Sequence, residues 1–114
     1  MDLQDALRDE LAGADRPTAL ERLVAFASHR ARCPHVAAYE GKDAWRRKAA
    51  VGRRPFPDLV TALPPTARNA RNVAVGGDPM RPAVFLRLEW DGQVHDPEAV
   101  EALEAACASA VLPS

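Results

Sequence analysis

Leucine recurs every fourth residue at the start of the chain. Leu3, Leu7 and Leu11 share one stripe while Asp2, Asp5, Arg8 and Asp9 occupy other faces, a period that predicts a helix over 2–12 with a stop at Gly13. A second stripe, Leu20, Leu23, Val24 and Ala27, predicts another helix. Thr18 stands three residues before Glu21 with Pro17 just outside, the spacing of a capping box. Pro34 ends this helix, because proline disfavours helical geometry in the residue before it. Two helices joined by so short a link predict an antiparallel hairpin.

The pattern weakens after Pro34. HVAAYEG, residues 35–41, suits either a strand or a further helical turn, and its two alanines favour the helix. Asp43 is suited to cap a helix over 44–51 that Gly52 ends. A short helix is expected over 58–63, between prolines.

Alternation then replaces helical periodicity. NVAV, residues 72–75, and AVFLRLEW, residues 83–90, read as strands. Val84, Leu86, Leu88 and Trp90 alternate with Phe85, Arg87 and Glu89, the period of a strand with one buried face. Asp91–Gly92 predicts a two-residue hairpin loop and a return strand over 93–95, which places His95 opposite Leu88. Asp96 then caps a last helix with Pro97 in its first turn and Glu98 at its positive end. Val100, Leu103, Cys107 and Val111 form its apolar stripe.

The resulting expectation is an α+β fold. It comprises an N-terminal helical hairpin, an irregular helical middle, a small antiparallel sheet (about 72–75, 83–90 and 93–95) and a C-terminal helix packed on one face. The 114 residues suit a single domain over 1–114.

Composition qualifies the core. The apolar fraction is 47%, but isoleucine is missing and Leu, Val and Phe together number only 24. Such a chain is expected to have a thin core, or one completed by self-association into a homo-oligomer. Thirteen arginines against two lysines point to a GC-rich genome, bacterial or phage. Residues 1–15 are acidic and lack a long apolar run, so no secretory signal is read. No stretch reaches the roughly 18–20 apolar residues of a membrane span. The expected setting is the cytoplasm, with Cys33 and Cys107 as free thiols.

Charge is laid out in blocks. The net charge is −1, yet residues 22–87 hold thirteen basic and four acidic groups between two acidic ends. Within 42–71, Trp45, Arg46, Arg47, Arg53, Arg54, Arg68 and Arg71 are candidates for an anion- or nucleic-acid-binding face: guanidinium forks for phosphates, an indole for a base. The favoured reading is internal compensation, with the acidic first and last helices lying against the basic middle, because the pI near 6.3 is low for a dedicated nucleic-acid binder.

Other chemistry is sparse. His29 and Cys33 share a face if their helix continues, and His35 follows the proline, so the three are candidate zinc ligands; a structural site needs a fourth, which His95 or Cys107 would supply. Cys33 with His29 or His35 is the one candidate for thiol catalysis, flanked by Arg30 and Arg32, with no third group to orient the base. GGD at 76–78 lacks the spacing of a phosphate-binding loop. No cofactor is implied. The reading that follows is a small soluble non-enzymatic module that binds a protein partner or itself. A nucleic-acid-binding accessory protein is the alternative, and a small thiol or metal-dependent enzyme comes third.

Overall fold

A computed structural model of the chain describes residues 2–40, 68–76, 84–94 and 96–113. Its elements in chain order are α1 (Leu3–Leu11), α2 (Arg16–Ala31), β1 (His35–Glu40), β2 (Arg68–Val75), β3 (Val84–Asp91) and α3 (Pro97–Ala108). The α+β reading holds. The described strands form a three-stranded antiparallel sheet with order β1-β3-β2; α2 packs against β1 and α3 against β2, and α1 packs on α2 and α3.

Three aspartates start the three described helices. Asp2 accepts from Asp5 N at 2.8 Å, Asp15 from Thr18 N at 2.8 Å and Asp96 from Ala99 N at 3.1 Å, each satisfying an amide left without a partner in the first turn. The cap of α2 therefore differs from the expected one: Asp15 holds that place, Pro17 lies inside the first turn and Thr18 is a helical residue. Hydrogen bonding to Thr18, chiefly to its backbone amide, holds the Asp15 carboxyl below its ordinary range. At its other end α2 stops before the proline is reached. Arg32 turns left-handed at φ 50°, Cys33 N bonds Ser28 O at 3.0 Å, and Ser28 Oγ donates to Cys33 O at 2.7 Å.

The segment after Pro34 is a strand, where the alanines had favoured helix. β1 pairs with β3 from His35↔Glu89 to Glu40↔Val84. The pairing is decided by β3, some fifty residues away in sequence, which outweighs a local preference of a few tenths of a kcal/mol per alanine. On its other side β3 pairs with β2 from Arg68↔Asp91 to Val75↔Val84. Both edges of β3 are thus taken, and the expected return strand over 93–95 has no edge to join. Gly92 (φ +86°) turns the chain off the sheet, and Gln93 and Val94 are not strand; His95 lies outside the described residues. The helices expected over 44–51 and 58–63 also lie outside them.

The core sits between the helices and one sheet face. Leu7, Leu11, Leu23, Phe26, Val73, Val75, Leu86, Leu88, Trp90, Val100 and Leu103 are buried in one cluster. Ala19, Ala27, Ala31 and Ala106 fill the close helix contacts. β3 is buried on both faces, not one. On the face away from the helices Phe85 stacks on Tyr39 (ring centroids 4.8 Å apart, planes 12° apart), and Arg87 Nε donates to Glu89 Oε1 at 3.0 Å. That pair is 5% and 0% exposed. Residues two apart on a strand share a face, which lets the two charges neutralise each other.

The last helix is shorter than its stripe. Val100, Leu103 and Cys107 are buried as expected, but Val111 lies past the helix end and is 86% exposed. Cys107 O accepts from both Ala110 N (3.1 Å) and Gly76 N (3.0 Å), which tightens the last turn and diverts the chain. No helix among the described residues is long and apolar enough to cross a membrane.

Candidate docking groove beside the first helix

Where α1 packs against α3, clefts open on either side of it. The first, of about 240 Å³, is lined by Gln4, Leu7, Arg8, Leu11 and Ala12 of α1 and by Ala106, Ser109, Ala110 and Val111. The second, about 290 Å³ and shallower, lies among Asp2, Leu3, Ala6, Arg30, Ala99 and Ala102. The alanines of α3 create both: a methyl group at 99, 102 and 106 leaves room that a larger side chain would fill.

The first cleft has a fixed wall. The segment after α3 is held near its start by Gly76 N and Ala110 N on Cys107 O. Near its far end Arg16 Nη1 donates to Pro113 O at 2.8 Å. Gly76 packs so closely there that a Cβ on it would stand 2.8 Å from Ala110 O. Between the two anchors Val111 projects from the rim. The floor is Leu7 and Leu11, and the outer wall is Arg8, ion-paired at 3.1 Å to Asp5 one turn back. The groove is thus apolar at its base, with one neutralised charge pair on its lip.

The candidate ligands named from the sequence do not gather into a site. His29 is exposed on α2, Cys33 is buried and His35 is half-buried on β1. The expected shared face of His29 and Cys33 needs a continuing helix, and α2 has already ended. Cys33 Sγ donates to His35 O at 3.2 Å and Glu89 O at 3.1 Å. Burial pushes its thiol up from 9.0, the opposite of what a thiolate nucleophile needs. Burial pushes Cys107 up to about 12. Among the described residues no three His, Cys, Asp or Glu side chains assemble as metal ligands.

Of the basic candidates, Trp45, Arg46, Arg47, Arg53 and Arg54 lie outside the described residues, as do Gly77 and Asp78. Arg68 opens β2. Arg71 is exposed and reaches Glu104 of α3 at 3.5 Å, one instance of the basic middle meeting an acidic end helix. Such an exposed pair is worth well under about 1 kcal/mol.

The groove residues were not singled out by sequence. Leu7 and Leu11 read as core, which they are, and Val111 read as core, which it is not. The available signal was Pro113, which stops a helix from running on beneath Val111. Comparison with protein families, with curated proteins and with solved structures finds no match for this chain.

Proposed function

We propose that this chain is a small non-enzymatic protein-binding module, acting in the cytoplasm, that docks an apolar segment of a protein in the groove between α1 and the segment after α3. The observation that carries the reading is the groove itself: a preformed apolar concavity with an exposed aliphatic side chain on its rim. Single exposed apolar residues are ordinary on protein surfaces, but one set beside an open apolar hollow is the arrangement of a docking site. The backbone anchors at both ends of the wall support it, since a groove fixed in advance spares the partner part of the cost of ordering it.

The expected affinity is modest. Covering one inserted aliphatic side chain and Val111 contributes about 3–6 kcal/mol at the usual 1.5–3 per side chain. Part of that offsets lost freedom, leaving a weak reversible contact. A binding role also accords with the two cysteines, free thiols that are both buried and raised in pKa.

Amide chemical-shift mapping tests the reading. A short helical peptide with a leucine stripe and a neutral glutamine face should move signals of residues 4–12 and 106–112 and leave β1 and α2 unmoved. Shifts confined to the sheet, or none at millimolar peptide, would overturn it.

A further inference from the structure

Resting on that reading, we infer that the occupant of the groove is a second copy of this chain, placed so that Val111 of each copy enters the groove of the other. The argument starts from the position of the exposed residue. Val111 is a knob and the space beside it, floored by Leu7, Leu11, Ala106 and Ala110, is a hole. They are adjacent on one surface of one chain. A two-fold axis passing between two such surfaces seats both knobs in both holes with a single operation, the self-complementary contact that closed dimers use. A different partner would need its own hole for Val111 and its own knob for the groove.

The charges on α1 have the same self-complementarity. Asp5 and Arg8 stand on the open side of the helix, 47% and 68% exposed in their side chains. Two copies of α1 running antiparallel about a point midway between these positions put Asp5 of each opposite Arg8 of the other. The same register sets Gln4 opposite Asp9, an amide against a carboxylate. No like charges face each other in this register. The contact is small: nine residues of helix are about 14 Å long at 1.5 Å per residue. The dimer is therefore expected in the micromolar range, below the stability of standard-sized interfaces.

Val111 is suited to the test because it is exposed and lies outside the helix, so changing it leaves the fold alone. Sedimentation velocity of the wild-type chain from about 1 µM to 1 mM should show a concentration-dependent shift from 12.3 kDa to twice that mass. Val111→Asp should weaken association about 100-fold, since both insertions are lost at once, with unchanged circular dichroism and melting. Mixing Val111→Cys chains with Gln4→Cys chains under mild oxidation should give a disulfide-linked heterodimer, because Val111 of one copy enters the groove that Gln4 of the other lines; native Cys33 and Cys107 are buried. A chain that stays monomeric to 1 mM overturns the inference. So does a dimer that Val111→Asp leaves intact. If the chain is monomeric while the neutral peptide still shifts the groove residues, the docking groove stands and its occupant is another protein. If neither peptide nor second copy touches the groove, both readings fall.

Discussion

Replacing Gly76 by alanine probes the contact that shapes the groove wall. Gly76 has φ +67°, and a left-handed backbone costs an ordinary L-residue about 1–2 kcal/mol. The added Cβ also lands 2.8 Å from Ala110 O, inside van der Waals contact with a backbone atom that cannot rotate away. Relief requires the two segments to part, which lengthens the 3.0 Å bond from Gly76 N to Cys107 O. Weakening such a bond costs about 0.5–1.5 kcal/mol. The expected loss is about 1.5–3.5 kcal/mol. At about 4 °C per kcal/mol for a domain of this size, the melting temperature should fall by roughly 6–14 °C. Gly92→Ala is the control. Its φ is +86°, but nothing lies within 4 Å of the new Cβ, so only the backbone cost of about 1–2 kcal/mol applies. Asparagine, which tolerates the left-handed region, should recover most of the loss at 92 and little at 76. Urea titrations of all four variants supply the numbers, provided the slope with denaturant is unchanged. If Gly76→Ala costs no more than Gly92→Ala, the close approach to Ala110 is not a constraint and the wall of the groove is looser than described.

Removing one partner of the buried pair, as in Glu89→Gln or Arg87→Met, should cost about 3–5 kcal/mol, whereas Arg87→Met/Glu89→Leu should be near neutral; a urea double-mutant cycle showing additive losses would contradict the pairing. Neither cysteine should react with a thiol reagent at pH 8 until the protein unfolds. Because burial raises both thiols above 9.0, the folded state holds protons that the unfolded chain releases, so stability from this source is intact below about pH 9 and falls as pH rises toward 12; a melting temperature that rises over that window would contradict the assignment. At about 0.15 M salt the chain should bind neither DNA nor RNA appreciably in fluorescence anisotropy; micromolar binding that disappears when Arg46, Arg47, Arg53 and Arg54 become alanine would refute charge compensation.

What was legible in the sequence was what local physics decides. The Asp96 cap, the Leu7 and Leu11 stripe and the alternation of β3 all follow from periods and hydrogen bonds within a few residues, whereas the α2 cap falls on Asp15 and not on the capping-box residue Thr18. The misreadings come from nonlocal causes. β1 is a strand because β3 offers it an edge, and HVAAYE by itself does not contain that fact. Asp91–Gly92 is a sound turn signal, but a hairpin needs a free edge, and β1 and β2 occupy both. Arg87 and Glu89 looked like a solvent face; opposite charges two apart on one strand were the available hint that they neutralise each other. The groove was illegible for a similar reason. It exists where α1 packs against the alanine side of α3, and no residue pattern states where two helices meet.

The place of β3 in the sheet also sets the order in which the protein can assemble. Among the described residues β1 and β2 do not pair with each other; each pairs with β3, the last of the three described strands. The corner after α2 waits on β3 as well, since Arg32 O and the Cys33 thiol are satisfied by groups 58 and 56 residues away, at Trp90 and Glu89. During synthesis β1 and β2 both emerge before the strand they pair with. Closing those long loops is slow relative to local helix formation. Arrival of residues 84–91 therefore acts as the commitment step: one strand docks, two others pair to it, and the helices gain the face they bury. Chains truncated before Val84 should stay unfolded however well their helices are capped.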